Sequence, residues 1–227
     1  MCEGLAVDTT DAVDLRAARH AALGDPIRLA IVDELRSSDR SPVELREQFA
    51  LESNLLAHHL DVLESVGLIS RTRSSGDGRR RYVHLLRSAL PGTEAGIPAA
   101  GPALFVCTLN SARSQLAAAL WQHLTGADAS SAGTHPAAAV HPGAVAAASR
   151  AGLDLGGAVP ASLDDVDPPA LVVTVCDRAH EELPGAADRL HWSVPDPVPA
   201  GTKRAFDATV AELAERITAV ARLESAA

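Results

Sequence analysis

The 227-residue sequence predicts two domains, an α+β unit of short helices closed by a β-hairpin and an α/β unit built on a parallel sheet. Three observations predict it. Between Asp11 and Leu85, four segments of helical periodicity with their own start and stop signals are followed by two short strands. Residues 88–102 carry three prolines and three glycines without periodicity, the composition of a linker. From Ala103 onward, apolar strand-like runs alternate with helical ones, as in a parallel sheet covered on both faces. The units span residues 1–87 and 103–227.

With 47% hydrophobic residues, the chain can bury two cores. Nothing in it resembles a membrane span or a leader with a basic region before an apolar one, so a cytoplasmic protein without membrane partners is expected. The cysteines Cys2, Cys107 and Cys176 form no paired framework and read as thiols in a reducing compartment. The net charge of −9 argues against indiscriminate nucleic-acid binding. Its distribution is uneven, since six arginines but only Asp77 among acids fall between Arg71 and Arg87.

Met1–Thr10 shows no periodicity, and a helix follows over Asp11–Leu23. Gly24-Asp25-Pro26 ends it and starts a second helix to about Ser37, with Asp25 as N-cap and Pro26 at the first position. Ser41-Pro42 opens a third helix through Phe49. A fourth covers Ser53–Val66, burying Leu56, Leu60 and Leu63, with Gly67 as its stop. Strands at Leu68–Thr72 and Arg80–Leu85 flank a Ser-Ser-Gly-Asp-Gly turn. Small helices followed by a basic hairpin form the pattern of a winged helix-turn-helix. Ser53, Asn54, His58 and His59 of the fourth helix are then expected to face the DNA major groove, and Arg79, Arg80 and Arg81 of the wing to meet phosphates. His84 is expected as an exposed strand residue.

The segments Leu23-Gly24-Asp25-Pro26-Ile27-Arg28, Ala57-His58-His59-Leu60-Asp61-Val62-Leu63 and Val66-Gly67-Leu68-Ile69 resemble the ArsR/SmtB family of bacterial repressors over residues 12–87. The resemblance implies a transcriptional regulator that binds operator DNA, usually as a homodimer. Members that sense metalloids through paired cysteines carry them in the third helix, where this chain has Pro42-Val43-Glu44-Leu45-Arg46, so no metal site is expected here.

In the second unit, Ala103–Val106 reads as a buried strand and Ser114–Leu124 as a helix with Leu116, Leu120 and Leu124 on one face. Between them, Cys107-Thr108-Leu109-Asn110-Ser111-Ala112-Arg113-Ser114 forms a strand-to-helix turn. Such a turn aims backbone N–H groups and a helix N-terminus at one point, a cradle for an oxyanion. Arg113 adds a bidentate fork, Ser114 suits the N-cap, Asn110 braces the loop, and Cys107 facing these donors is expected as a thiolate nucleophile. Strands are further expected at Ala127–Ala132, Leu171–Cys176 and Leu190–Ser193, and helices at Pro142–Gly152 and Lys203–Leu223. Cys107, Cys176 and Asp196 all fall at C-terminal strand ends, where ligands bind in such sheets.

Cys-x5-Arg-Ser, together with Ser131-Ala132-Gly133-Thr134-His135-Pro136 and Trp192-Ser193-Val194-Pro195-Asp196-Pro197, resembles the low-molecular-weight tyrosine phosphatases and the arsenate reductases of the same fold, over about residues 102–222. The resemblance implies Cys107 as nucleophile, Arg113 on the oxyanion and Asp196 as general acid. Tyrosine phosphatases of this type carry a Tyr after the Asp-Pro pair, where Val198 stands here, and aromatics make up only 3% of the chain. Val172-Val173-Thr174-Val175-Cys176-Asp177 instead resembles the arsenate reductase segment bearing a second redox cysteine, which makes Cys176 the candidate to resolve a Cys107–arsenic adduct. Thioredoxin-linked members have a third cysteine where Leu183 stands. The expected reaction is therefore arsenate reduction without a bound cofactor. Either Cys107–Cys176 is the final disulfide, open to thioredoxin, or a small thiol (mycothiol with mycoredoxin, or glutathione with glutaredoxin) resolves the adduct. A non-catalytic oxyanion sensor and a phosphatase are the alternatives. A linker of this composition transmits little strain, so coupling between the halves requires direct contact.

Overall fold

The structure, a computed structural model, describes residues 9–90, 101–185 and 189–224. Cys2, most of Met1–Thr10 and most of the expected linker lie outside the described residues. The first domain comprises α1 (Thr9–Leu23), α2 (Pro26–Leu35), α3 (Pro42–Gln48), α4 (Ser53–Ser65) and the antiparallel strands β1 (Ile69–Arg73) and β2 (Arg81–Leu85). Its caps follow the sequence. Asp25 Oδ1 accepts the N–H groups of Ile27 and Arg28 at 3.0 and 2.9 Å, and Ser41 with Glu44 closes a capping box. Gly67 turns the chain after α4 at φ +68°. Ile31, Leu35, Leu45, Leu60 and Leu63 form the centre of its core.

The second domain comprises β3 (Ala103–Cys107), α5 (Arg113–Thr125), β4 (Ala129–Gly133), α6 (Pro142–Arg150), β5 (Leu171–Thr174), α7 (Asp177–Glu182), β6 (Leu190–His191) and α8 (Lys203–Glu224). The strands form one parallel sheet in the order β4-β3-β5-β6. β3 pairs with both β4 and β5, so the direction of winding reverses at its C-terminal end, which is Cys107. Every residue of β3 is buried, as expected of a strand covered on both faces. Phe105 packs between Trp121 and Trp192, whose rings lie 5.7 and 5.8 Å away. Among the described residues no helix is long and apolar enough to cross a membrane.

Several boundaries differ from expectation for identifiable reasons. α2 stops at Leu35 because Ser38 and Asp39 beyond it are buried in bonds to the second domain. β5 stops at Thr174, and Cys176 caps α7, a helix too short to show periodicity in the sequence. Ser88 and Ala89, expected in the linker, belong to a single 3₁₀ turn.

The two domains are in direct contact along a polar seam. At one end, the Asp39 N–H donates to His191 O at 2.7 Å, the His191 N–H to Ser38 Oγ at 2.8 Å, and Trp192 Nε1 to Ser37 O at 2.8 Å. At the other end the tip of the β1–β2 hairpin sits on α7. Ser74 Oγ donates to Glu181 at 2.6 Å, the Ser75 N–H to Asp177 at 2.6 Å, and the Asp77 N–H to Glu181 at 2.9 Å. Gly76 permits this approach, since a Cβ there would stand 3.1 Å from Arg178 Cα.

Candidate active site and nucleic-acid face

The turn from Cys107 to Arg113 is held from outside by its carbonyls. The oxygens of Cys107, Thr108, Leu109 and Ser111 accept the N–H groups of Thr134, His135, Ala137 and His141 at 2.8–3.2 Å. Gly133 allows that segment to close in, because a Cβ there would meet Thr108 O at 2.8 Å. The Asn110 N–H points inward, 3.2 Å from Cys107 Sγ. Asn110 itself takes φ +47°, and its buried side chain fastens that conformation. Its Nδ2 donates to Ser114 Oγ at 2.8 Å, while its Oδ1 accepts from Gln115 Nε2 at 3.0 Å and the Ala161 N–H at 2.8 Å. Ser114 is not the N-cap. Ala112 occupies that position, and Ser114 Oγ instead stands 3.0 Å from Cys107 Sγ. Thr108, Ser111 and Ala112 are buried with Cys107, whereas the Leu109 side chain is exposed.

Cys176 lies on the other side of the loop, with its Sγ 3.3 Å from the hydroxyl of Thr108, the residue after Cys107. Burial pushes its thiol pKa up, against the opposing pull of the Arg113 charge. Arg113 reaches from the first turn of α5 to the loop after β6, where Nη1 donates to Val194 O at 3.0 Å and Nη2 to Asp196 Oδ2 at 3.1 Å. The other oxygen of Asp196, Oδ1, accepts the Val198 N–H at 3.1 Å, and the side chain remains 36% exposed. Cys107, Cys176, Arg113 and Asp196, scattered through the chain, thus share the C-terminal edge of the sheet.

Of the residues nominated for DNA, Ser53, Asn54 and His58 are exposed on α4, and Arg79, Arg80 and Arg81 are exposed on the hairpin. His59 is not available. It is 5% exposed and faces inward, with Nδ1 3.8 Å from Asp25, because it follows His58 onto the side of α4 that carries Leu56, Leu60 and Leu63. Arg71 is also withdrawn, paired with Asp61 and Glu64 of α4.

The sequence matches the family model for low molecular weight phosphotyrosine protein phosphatases over residues 103–225, more than half of the chain. The chain belongs to that family. A model for a helix-turn-helix domain matches residues 23–72. Among solved structures, the second domain is similar to an arsenate reductase in its phosphate-binding state, 23% identical over 55% of this chain and 98% of the other, with a TM-score of 0.50. It is also similar to an arsenate reductase from Archaeoglobus fulgidus, with 28% identity over 53% and 98% and a TM-score of 0.47. A third is the YwlE arginine phosphatase from Geobacillus stearothermophilus, with 24% identity over 55% and 93% and a TM-score of 0.48. No curated protein matches the chain.

Beside Asp196 the phosphatase-fold domain and the hairpin line an open cleft of about 520 Å³ at the domain seam, to which the phosphate loop contributes no lining residue. Ser70, Thr72 and Arg73 wall it on one side and Asp196, Glu212 and Arg216 on the other, with no Phe, Tyr or Trp in its lining. Sequence reasoning missed Gln115, which braces Asn110, and the buried acid Asp39. It also misplaced His84, which is 8% exposed and lies with Nδ1 3.0 Å from Asp39. A polar residue amid Leu116, Ala117 and Ala118 was a signal for Gln115; nothing local marked the other two.

Proposed function

We propose that the second domain reduces arsenate to arsenite through Cys107, and that the first is an ArsR-type DNA-binding transcriptional regulator. The observation that carries the reductase reading is a second buried thiol, Cys176, within 3.3 Å of the residue next to Cys107. A phosphomonoesterase has no use for that thiol.

In this reading the loop N–H groups and Arg113 hold the arsenate oxygens. Cys107 Sγ attacks As(V), and an oxygen departs as water with a proton from Asp196. Cys176, kept protonated by burial until it reacts, attacks Cys107 Sγ; its proton passes to the departing arsenic oxyanion. The S–As pair moves to arsenic, which leaves as As(III), and a Cys107–Cys176 disulfide remains for an external thiol to reduce. In the first domain, Asn54 and His58 read base edges and Arg79, Arg80 and Arg81 contact phosphates of operator DNA.

The test is full-length protein assayed with arsenate under mycothiol–mycoredoxin, glutathione–glutaredoxin and thioredoxin systems, beside p-nitrophenyl phosphate. Arsenite production with a small-thiol system, and weaker production with thioredoxin, is expected. Ester hydrolysis without arsenite would make the domain a phosphatase, and binding without either would make it an oxyanion sensor.

A further inference from the structure

We propose that Asp39, a residue of the helix-turn-helix domain, positions the loop that carries Asp196, so that the first domain completes the active site of the second. The inference rests on reading Asp196 as the proton donor.

Asp39 sits in the turn between α2 and α3 and is fully buried. Its Oδ2 accepts the Ser193 N–H at 2.7 Å and forms ion-pair contacts with Arg216 Nη1 at 2.9 Å and His84 Nδ1 at 3.0 Å. With Ser37 and Ser38 it fastens three consecutive residues, His191, Trp192 and Ser193, through main-chain atoms and the Trp192 indole. The next residues are fastened from the opposite side, where Arg113 of the phosphate loop holds Val194 O and Asp196. The acid loop is therefore fixed at one end by the first domain and at the other by the oxyanion-binding arginine. Ser193, held from one side, and Val194, held from the other, are adjacent, and prolines at 195 and 197 limit the freedom of φ.

Two general considerations make this a matter of orientation. A buried ion pair is weak evidence for added stability, since an apolar substitute of similar volume often does as well. A proton donor, by contrast, works only within hydrogen-bond reach of the departing atom, and a displacement of about 1 Å can cost on the order of a hundredfold in rate. A carboxylate that gathers a main-chain N–H from the acid loop together with two side chains from different domains sets a position that apolar packing would leave loose.

The test uses full-length Asp39→Ala and Asp39→Asn, the latter keeping shape and one acceptor as a guard against simple unfolding, with Asp196→Asn as reference. Two readouts are taken: amide hydrogen exchange at residues 192–194 and 196, and kcat and KM for phenyl phosphate and p-nitrophenyl phosphate. A nitrophenolate leaves without needing a proton, whereas phenolate needs one, so a mispositioned acid shows selectively on the first ester. Asp39→Ala is expected to raise exchange at Ser193 and Val194 at least tenfold. It should also lower kcat on phenyl phosphate about tenfold more than on p-nitrophenyl phosphate, as Asp196→Asn does, with KM and affinity for inorganic phosphate unchanged. A folded Asp39 variant with wild-type exchange and a wild-type ratio of the two rates overturns the proposal. If Asp196→Asn leaves the ratio unchanged, the proton-donor reading falls on its own; in that case, and equally if neither ester is turned over, the exchange measurement alone decides whether the first domain holds the loop.

Discussion

Two aspartate–arginine pairs lie a few residues apart on either side of the acid loop, at nearly equal distances: Asp39–Arg216 at 2.9 Å and Asp196–Arg113 at 3.1 Å. Their surroundings separate them. The Asp39 pair is almost without solvent exposure, and burial would raise the carboxyl's pKa were it not for Arg216 and His84, which hold it well below the usual carboxylate range. Asp196 is about a third exposed, with one oxygen on its arginine and the other accepting the Val198 N–H. A locked anion cannot trade protons, and an exposed one cannot anchor a fold. Distance alone thus says little about what an ion pair does; burial and the number of donors decide it.

The sharpest way to break that comparison is to remove each arginine in turn. Arg216→Met should leave Asp39 buried without its main counter-charge and lower unfolding free energy by about 3–5 kcal/mol in chemical denaturation. Arg113→Met, at a pair whose acid is partly exposed, should cost about 1 kcal/mol or less of stability while turnover falls by about 10²–10³. Equal stability losses in the two variants would erase the distinction.

Acid provides a second probe of the seam. His180, buried and stacked 4.0 Å from His191, has its pKa lowered to about 3, first by burial and then by the neighbouring His191 and the guanidinium charges of Arg189, Arg40 and Arg80. It is neutral in the fold and titrates near 6.5 when unfolded, so stability falls as pH drops below about 6.5 toward 3. Asp39 has the depressed pKa of a paired acid, so its contribution is present above about 4 and fades below that. Melting temperature against pH should decline in these two stages, and His180→Gln should remove the first; a flat profile down to pH 5 contradicts the buried neutral imidazole.

What the sequence disclosed divides along the same line as the two pairs. The phosphate loop was legible because its donors are consecutive residues bounded by an apolar strand and a periodic helix, so spacing alone brings Cys107, Asn110 and Arg113 together. Caps such as Asp25 and Ser41 act over three residues and were equally readable. The seam was not, because its partners, Asp39 with Ser193 or Ser75 with Asp177, lie more than 100 residues apart and carry no local period. α7 is one and a half turns long, and Cys176, placed at the end of a strand by its apolar neighbours, became the cap of that helix. His59 was misplaced because adjacent histidines on a helix point about 100° apart, so only one of the pair can face outward.

The nucleic-acid face offers a smaller effect. Replacing Arg79, Arg80 and Arg81 with Ala should weaken binding to every DNA sequence and reduce the log–log salt slope by about 0.9 for each phosphate no longer neutralised. Asn54→Ala or His58→Ala should instead erode discrimination between operator and random DNA by roughly 1–3 kcal/mol. His59→Ala should lower stability and leave discrimination intact, since the ring is inside. An altered operator preference in the last variant would return His59 to the groove.

The most direct measurement of the central claim is a single turnover without any external reductant. Fully reduced protein mixed with one equivalent of arsenate should release close to one arsenite per chain, lose two titratable thiols, and yield a Cys107–Cys176 linked peptide on mapping. Cys107→Ser should give neither product while still binding inorganic phosphate through the loop N–H groups and Arg113. Arsenate left unreduced with both thiols intact in the wild type, or arsenite released undiminished by Cys107→Ser, would contradict the account.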